Sequence, residues 1–158
     1  MDYAFHEFGR IREKLDGMPT LLELEGPDAF DLPDFHVEVV NSDHAVPGLC
    51  YRFTHKATGH VIGLTGDTRY QAIYGDFFRD ADLLVHEASF GAGPLPERNA
   101  VCRHSSAREA AQVSLEAGVR KLLLTHTYEP QREAALAEAR SRLAVPVEWA
   151  MPGEVFEF

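Results

Sequence analysis

Three short apolar runs, each followed by a chemically active side chain, constrain the fold of this chain more than any other feature. The runs are "HVIGL", "DLLVHEAS" and "RKLLLTH". Their nearly continuous apolar character is typical of strands that are covered on both faces of a sheet. Helical patterns lie between them, and alternation of strands with helices indicates an α/β fold. Ligands bind at the carboxyl ends of strands in such folds, so these ends are where we expect a site.

The clearest helix lies between the second and third of these strands. Ser106 and Glu109 form an S-x-x-E capping box at its start. Gly118 is well placed to end it. Ala110, Ala111, Ser114 and Leu115 make a small-residue face on this helix.

The remaining elements follow from periodicity and turn residues. Helices are predicted in "YAFHEFGRIREKL", from Gln71 to Phe78, and after Pro130. Alternation predicts strands in "LLELEG", "FHVEVV" and "LCYRF", and again in "VPVEWAM" and "EVFEF" at the end. No repeat or linker interrupts the chain, so residues 1–158 are expected to form a single α/β domain.

Composition excludes several classes of protein. The formal net charge of −10 argues against a free-standing nucleic-acid binder, which needs clustered basic residues. The two cysteines, Cys50 and Cys102, provide neither a disulfide framework nor a C-x-x-C zinc pattern. The sequence contains no signal-peptide pattern and no apolar run of about 18 residues. We therefore expect a cytoplasmic protein without a membrane segment.

The candidate functional residues collect at the predicted strand ends and on two loops. Imidazole and carboxylate groups are suitable ligands for zinc, manganese or iron. Each residue also has a purely structural interpretation, as a turn residue, a helix cap or a hydrogen-bonded core histidine. The set is Asp67, His86, Glu87 and His126 at strand ends, with His44 and His104 on loops.

Four sequence blocks occur in an order that resembles the second half of the metallo-β-lactamase fold. They are "DHAVPGLCYRF", "LTGDT", "DLLVHEASF" and "RHSSAREAAQVSLEAGVRKLLLTH". The similarity is strongest to the branch that contains ribonuclease Z and related phosphodiesterases, and it runs from about His44 to His126. It implies half of an αββα sandwich, with a mixed sheet and helices on one face.

The resemblance also implies roles for five residues. His44 would be a histidine ligand of a first metal ion, Asp67 the carboxylate that bridges two ions, and His126 a ligand of the second. His104 would protonate the leaving oxygen, and Glu87 would orient it. The implied activity is hydrolysis of a phosphodiester. The implied cofactors are two divalent metal ions, with zinc expected first and manganese or iron as alternatives.

The family's strongest motif, H-x-H-x-D-H, is absent from the sequence. Only 43 residues precede His44, so the motif is expected to lie before Met1. The chain would then be the second half of a two-half fold, completed by an N-terminal half or by a partner, with little activity alone. The alternative is a non-catalytic half-domain that assembles as a homo-oligomer or with another protein.

The residues after the last histidine bear on the substrate. The endoribonucleases that this chain resembles have serine and arginine there, whereas "THTYEP" contains Glu129, which would repel a polyanion. Together with the net charge of −10, this favours a small phosphodiester or ester substrate over long RNA.

Overall fold

The structure, a computed structural model, describes residues 24–156 as one seven-stranded sheet with the strands in chain order. Strands β1 to β4 pair antiparallel, and β4 to β7 pair parallel, so the predicted mixed sheet is confirmed. The helix predicted in residues 3–15 lies outside the described residues. The strands are β1 Asp28–Asp31, β2 Phe35–Asn41, β3 Leu49–His55, β4 Val61–Leu64, β5 Leu83–Glu87, β6 Leu122–Thr125 and β7 Val147–Trp149.

Three of the four helices that follow β4 were predicted from the sequence, and the short helix Asn99–Cys102 was not. Pro130 lies in a single 3-10 turn, Glu129–Gln131, immediately before the last helix. This position suits proline, because the first residues of a helix have no internal partner for their N–H groups. The helices are α1 Ile73–Phe77, α2 Asn99–Cys102, α3 Ala107–Ala117 and α4 Arg132–Arg140.

Helix α3 begins and ends as predicted. Both halves of the capping box form between Ser106 and Glu109, and Gly118 ends the helix in the left-handed conformation at φ 66°. Within the small-residue face, Ala110, Ala111 and Ser114 are buried, whereas Leu115 is 68% exposed. Leu115 lies at the edge of the helical stripe, whereas the smaller residues allow the helix to approach the sheet. The buried positions of α3 include Ala110, Ala111, Val113 and Ser114.

The main core lies between the sheet and the helices. Cys50 from β3 and Leu84 from β5 are fully buried there against Tyr74 and Phe78 of the α1 segment. Burial of each such side chain stabilises the fold by about 1.5–3 kcal/mol. Gly63 in β4 makes the close approach possible, because a Cβ atom there would lie 2.6 Å from Phe78 Cδ1. Burial also raises the pKa of the Cys50 thiol to about 12.

The opposite face of the sheet is apolar as well. Val37 lies opposite Phe53, and Val39 lies opposite Tyr51, so these four side chains share one face. Val37 and Val39 are buried, yet neither belongs to the core on the helix side. Strand β3 therefore has apolar residues on both faces, with Cys50 its most buried residue.

Two predicted strands are wrong over the part of the chain that the structure describes. Leu24 and Glu25, from the predicted strand "LLELEG", are not in a strand, and the first strand is "DAFD" instead. Its aspartates lie on an exposed edge strand, where hydrophobic alternation is not required. Residues 154–156 of "EVFEF" are not in a strand either, since the chain turns at Gly153, where φ is 82°.

Asp82 forms hydrogen bonds to neighbouring segments at the edge of the sheet opposite the candidate site. It accepts hydrogen bonds from the Val61 amide at 2.9 Å and from the Arg120 guanidinium at 2.9 Å, and it lies 3.2 Å from His60 Nδ1. Burial raises its pKa, but the Val61 amide, His60 and Arg120 together hold the pKa below the ordinary value of 3.8. Among the described residues, no helix is both long and apolar enough to cross a membrane.

Candidate metal centre

Asp67 and His126 meet where two parallel strands end. Asp67 follows β4 after Thr65 and Gly66, and Gly66 turns the chain with φ 58°. His126 follows β6 directly and adopts φ 62°, a left-handed conformation that is uncommon for a residue with a side chain. Asp67 Oδ1 lies 3.2 Å from His126 Nδ1. Both side chains are partly exposed at the carboxyl edge of the sheet.

Glu87 and His104 form a pair in which the carboxylate is buried. Glu87 ends β5 and is 1% exposed, and its Oε1 lies 3.0 Å from His104 Nδ1. Three backbone amides donate to the same carboxylate, namely Thr68 at 2.9 Å, Ser89 at 3.0 Å and Ser105 at 3.1 Å. A buried carboxylate needs such donors to offset its loss of water. The three amides fix the Glu87 carboxylate, and the carboxylate in turn fixes the orientation of the His104 ring.

The rings of His44 and His104 face each other with their Nε2 atoms. His44 Nε2 lies 3.3 Å from His104 Nε2. His44 Nδ1 lies 3.2 Å from the Val46 carbonyl oxygen and 3.3 Å from the Val46 amide nitrogen, and His104 Nδ1 lies against Glu87. In the tautomer in which each Nδ1 donates, to the Val46 carbonyl and to Glu87, the two Nε2 lone pairs point into one space. A metal ion or a shared proton between them would remove the repulsion, so this geometry fits a cation site.

Ser89 connects both halves of the site, and the sequence analysis did not identify it. Its hydroxyl lies 2.6 Å from Glu87 Oε2, 2.8 Å from His126 Nδ1 and 3.1 Å from His104 Nδ1. A hydroxyl group donates one hydrogen bond and accepts two. Ser89 can therefore donate to Glu87 and accept from both histidines. The bond to His126 leaves the Nε2 lone pair of that residue available to a metal ion.

A second group that the sequence analysis missed surrounds Asp43, next to His44. Arg69 Nε donates to Asp43 Oδ2 at 2.5 Å, and Arg103 donates from a terminal nitrogen to Asp43 Oδ1 at 3.2 Å. The Gln71 amide donates to the same carboxylate. These contacts join segments that are 26, 28 and 60 residues apart in sequence, so no local motif reveals them.

The structure brings all five predicted site residues to one edge of the sheet. Donor atoms of His44, Asp67 and His104 lie within 4.8 Å of one another, and so do those of Glu87, His104 and His126. Imidazole nitrogen and carboxylate oxygen are ligands that suit zinc. The donor set therefore fits divalent metal ions, although it supplies too few ligands to complete two coordination shells.

His86, the other strand-end histidine, lies apart from this set. Its side chain is fully buried, and its Nδ1 lies 2.8 Å from the Glu87 backbone oxygen. Burial lowers the pKa of His86 below its ordinary value of 6.5, and the neighbouring carboxylates oppose this shift. We assign it a structural role.

Comparison with known proteins defines the class of fold. No family model matches the chain. The metallo-β-lactamase fold protein YhfI from Bacillus subtilis superposes with a TM-score of 0.79 at 23% identity, covering 94% of this chain and 59% of YhfI. The short form of human tRNase Z superposes with a TM-score of 0.54 at 23% identity, covering 77% of this chain and 42% of that protein. The chain has the metallo-β-lactamase fold.

Sequence comparison confirms the more specific resemblance to the ribonuclease Z-like branch. The chain is 41% identical over 102 residues to ribonuclease Z from Myxococcus xanthus strain DK1622. The matched region is 63% of this chain and 33% of that relative. The chain thus spans about a third of the length of this relative.

Proposed function

We propose that this chain supplies the second half of the active site of a metal-dependent phosphodiester hydrolase. The observation that supports the proposal best is the convergence of His44, Asp67 and His104, and of Glu87, His104 and His126, each within 4.8 Å. These residues come from five separate segments of the chain, and the fold brings them together. The ribonuclease Z and tRNase Z names of the similar proteins support cleavage of a phosphodiester.

His44, Asp67 and His126 are the proposed metal ligands. Asp67 is suited to bridge two ions, because its carboxylate offers two oxygen atoms and lies close to both histidines. Two divalent ions, zinc by preference, would lower the pKa of a bound water and neutralise charge on the phosphate. The remaining ligands would come from an N-terminal half with the H-x-H-x-D-H motif or from a second protein. A site divided in this way is inactive when one part is missing.

His104 is the proposed general acid, and Glu87 positions it. With Nδ1–H bound to Glu87, the proton of His104 available for transfer is on Nε2. Nε2 faces the proposed metal ligands rather than the protein interior, so it can donate to the leaving oxygen. Histidine suits this step because its pKa lies close to neutral pH. The amides around Glu87 hold this pair in place throughout the reaction.

The proposed substrate is a small phosphodiester or ester rather than long RNA. Tyr128 and Glu129 are both exposed next to His126, and neither offers a positive charge to a polyanion. RNA is the alternative, because the similar proteins include ribonuclease Z. Hydrolysis of bis(p-nitrophenyl) phosphate and of a precursor tRNA, measured with the same preparation, distinguishes the two. A cytoplasmic location is part of the same proposal.

The test begins with metal content, measured by mass spectrometry on protein purified without added metal. Zinc titrations of the variants His44→Ala, Asp67→Asn and His126→Ala follow, and each is expected to weaken binding relative to the unaltered chain. His55→Ala is the control, because His55 contacts Thr58 in the β3–β4 turn, away from the site. Unchanged zinc binding in all three site variants would contradict the proposed ligand set.

A non-catalytic half-domain remains the second candidate. It is favoured by the number of ligands, because three residues distributed over two metal positions are fewer than zinc sites normally have. Absence of bound metal, together with a stable homo-oligomer in analytical ultracentrifugation, would support this candidate. Close to two ions per chain would support the enzyme, with the missing ligands supplied by the partner copy or by residues outside the described part.

A further inference from the structure

We propose that Arg69 and Arg103, held by Asp43, form a binding site for a second phosphate group of the substrate, distinct from the phosphate that is cleaved. The proposal rests on the proposed function for the place of this group beside the reacting phosphate. The binding of the group itself follows from the arginine geometry alone. The substrate class would be a small phosphodiester that carries an additional phosphate or diphosphate.

Asp43 determines the orientation of both arginines. Its two carboxylate oxygens accept from different guanidinium groups, Oδ2 from Arg69 and Oδ1 from Arg103. Its backbone amide is fixed in turn by the Thr68 hydroxyl at 2.9 Å and by the Tyr74 hydroxyl at 3.2 Å. The Asp43 side chain is 19% exposed, whereas those of the arginines are 44% and 45% exposed. The anchor is thus mostly buried while the cationic groups reach the surface.

Each arginine has hydrogen-bond donors to spare. A guanidinium carries five N–H donors. Within residues 24–156, the side chain of Arg69 uses only Nε and that of Arg103 only one terminal nitrogen. The planar fork of the remaining donors matches phosphate oxygens, which explains why arginine is common in phosphate recognition. Two such groups fixed on one carboxylate are preorganised, so little side-chain entropy is lost on binding.

The pair lies beside the proposed metal centre. Asp43 precedes His44, and Arg103 precedes His104, whose ring is 3.3 Å from that of His44. Arg69 follows Asp67 by two residues. It also lines an open cleft of about 570 Å³ that could hold the rest of a small substrate. The other residues that line this cleft are Tyr70, Gln71, Leu95, Asn99, Ala100, Glu109 and Gln112.

Charge also favours a phosphate at this position. The two guanidinium groups carry one more charge than the single carboxylate that they bind, and Glu109 on the wall of the cleft is the nearest further acidic group among its lining residues. Glu129, on the other side of His126, offers no such surplus. A purely structural role for Asp43 as a link between loops is the competing explanation. Under that explanation the arginines would affect stability but not the affinity for an anion.

The test is a calorimetric titration of inorganic pyrophosphate into the full chain after removal of metal ions with EDTA and dialysis. Without metal, pyrophosphate can bind only through protein groups. We expect saturable binding, and Arg69→Gln or Arg103→Gln should raise the Kd about 10- to 100-fold, as for loss of a charge-assisted hydrogen bond. Arg79→Gln is the matched control, because Arg79 is exposed near the opposite edge of the sheet and pairs with Asp76.

Two further measurements separate the explanations. Arg69→Lys and Arg103→Lys keep the positive charge but lose the planar guanidinium fork, so they should bind pyrophosphate with intermediate affinity. They also serve as substitutes for any glutamine variant that fails to fold. Absence of pyrophosphate binding, or equal affinity in the folded variants and in Arg79→Gln, would overturn the proposal. Zinc titration of the same proteins tests the proposed function independently. Pyrophosphate binding without zinc binding would leave the arginine site standing and would show that this chain alone does not hold zinc.

Discussion

Replacement of Ser89 by alanine is expected to weaken zinc binding strongly while lowering the stability of the fold only modestly. The Ser89 hydroxyl contacts Glu87 Oε2 at 2.6 Å, His126 Nδ1 at 2.8 Å and His104 Nδ1 at 3.1 Å. Its loss removes one hydrogen bond to a charged group, which is worth about 1.5–3 kcal/mol. Glu87 keeps its three amide donors, so we expect a loss of unfolding free energy of about 1–2 kcal/mol.

For a chain of this length, that loss corresponds to a fall in Tm of about 2–8 °C. The effect on metal should be larger, because the His126 ring loses its 2.8 Å contact with Ser89 and keeps only the partly exposed Asp67 carboxylate to orient Nδ1. Loss of a group that orients a metal ligand typically weakens metal binding about 10- to 100-fold. The assays are thermal unfolding of the metal-free protein and competition titration with a zinc chelator. Ser89→Thr, which keeps the hydroxyl, should restore most of the affinity.

Ser114→Ala provides the matched control. Ser114 is buried in α3 and donates from its hydroxyl to the Ala110 carbonyl at 2.8 Å, far from the metal centre. This variant is expected to change Tm by a few degrees without changing the zinc affinity. If Ser89→Ala and Ser114→Ala have the same zinc affinity, the proposed orienting role of Ser89 is wrong. If Ser89→Ala binds zinc more tightly, the tautomer assignment of His126 is wrong as well.

Three other predictions test the fold. Only Cys102 should react with a thiol reagent at about pH 8 in the folded protein, because burial raises the pKa of Cys50 to about 12; two reactive thiols before denaturation would contradict the packing of β3. Gly63→Ala would place a Cβ atom 2.6 Å from Phe78 Cδ1, so urea unfolding should show a loss of about 1–3 kcal/mol. The pKa of Asp82 lies below 3.8 in the folded state, so its stabilising contribution is present above pH 3.8 and disappears as the pH falls through the folded value. Asp82→Asn should therefore lower stability at neutral pH and flatten its decline in acid, and an unchanged acid profile would refute that assignment.

Local signals were sufficient for much of the fold. The capping box at Ser106 and the glycine at 118 predicted both ends of α3, because cap chemistry depends only on neighbouring residues. The apolar runs predicted β4, β5 and β6. The strand "DAFD" was missed because an edge strand needs no alternation, and Leu115 was grouped with residues that are buried because helical spacing does not resolve the boundary of a buried stripe.

The candidate site likewise contains some residues that could be predicted from the sequence and others that could not. Four sequence blocks occur in the order that resembles the metallo-β-lactamase fold, so the five residues that the structure brings together could be selected from the sequence through that resemblance. Ser89 could not, because serine is common in turns and its role depends on contacts with side chains that are 15 and 37 residues away. The partners of Asp43 are equally distant in sequence. Such hydrogen-bond networks become visible only once the loops are placed in space.

The left-handed backbone at the site has a consequence for protein engineering. His126 and the residue before His104, Arg103, have φ values of 62° and 57°. A side chain in this conformation costs about 1–2 kcal/mol that glycine avoids. His126→Gly should therefore be more stable than His126→Ala by about 1 kcal/mol in thermal unfolding. A campaign that selects only for thermostability would consequently favour glycine at both positions, and would remove a proposed metal ligand and half of the proposed phosphate site while appearing to improve the protein.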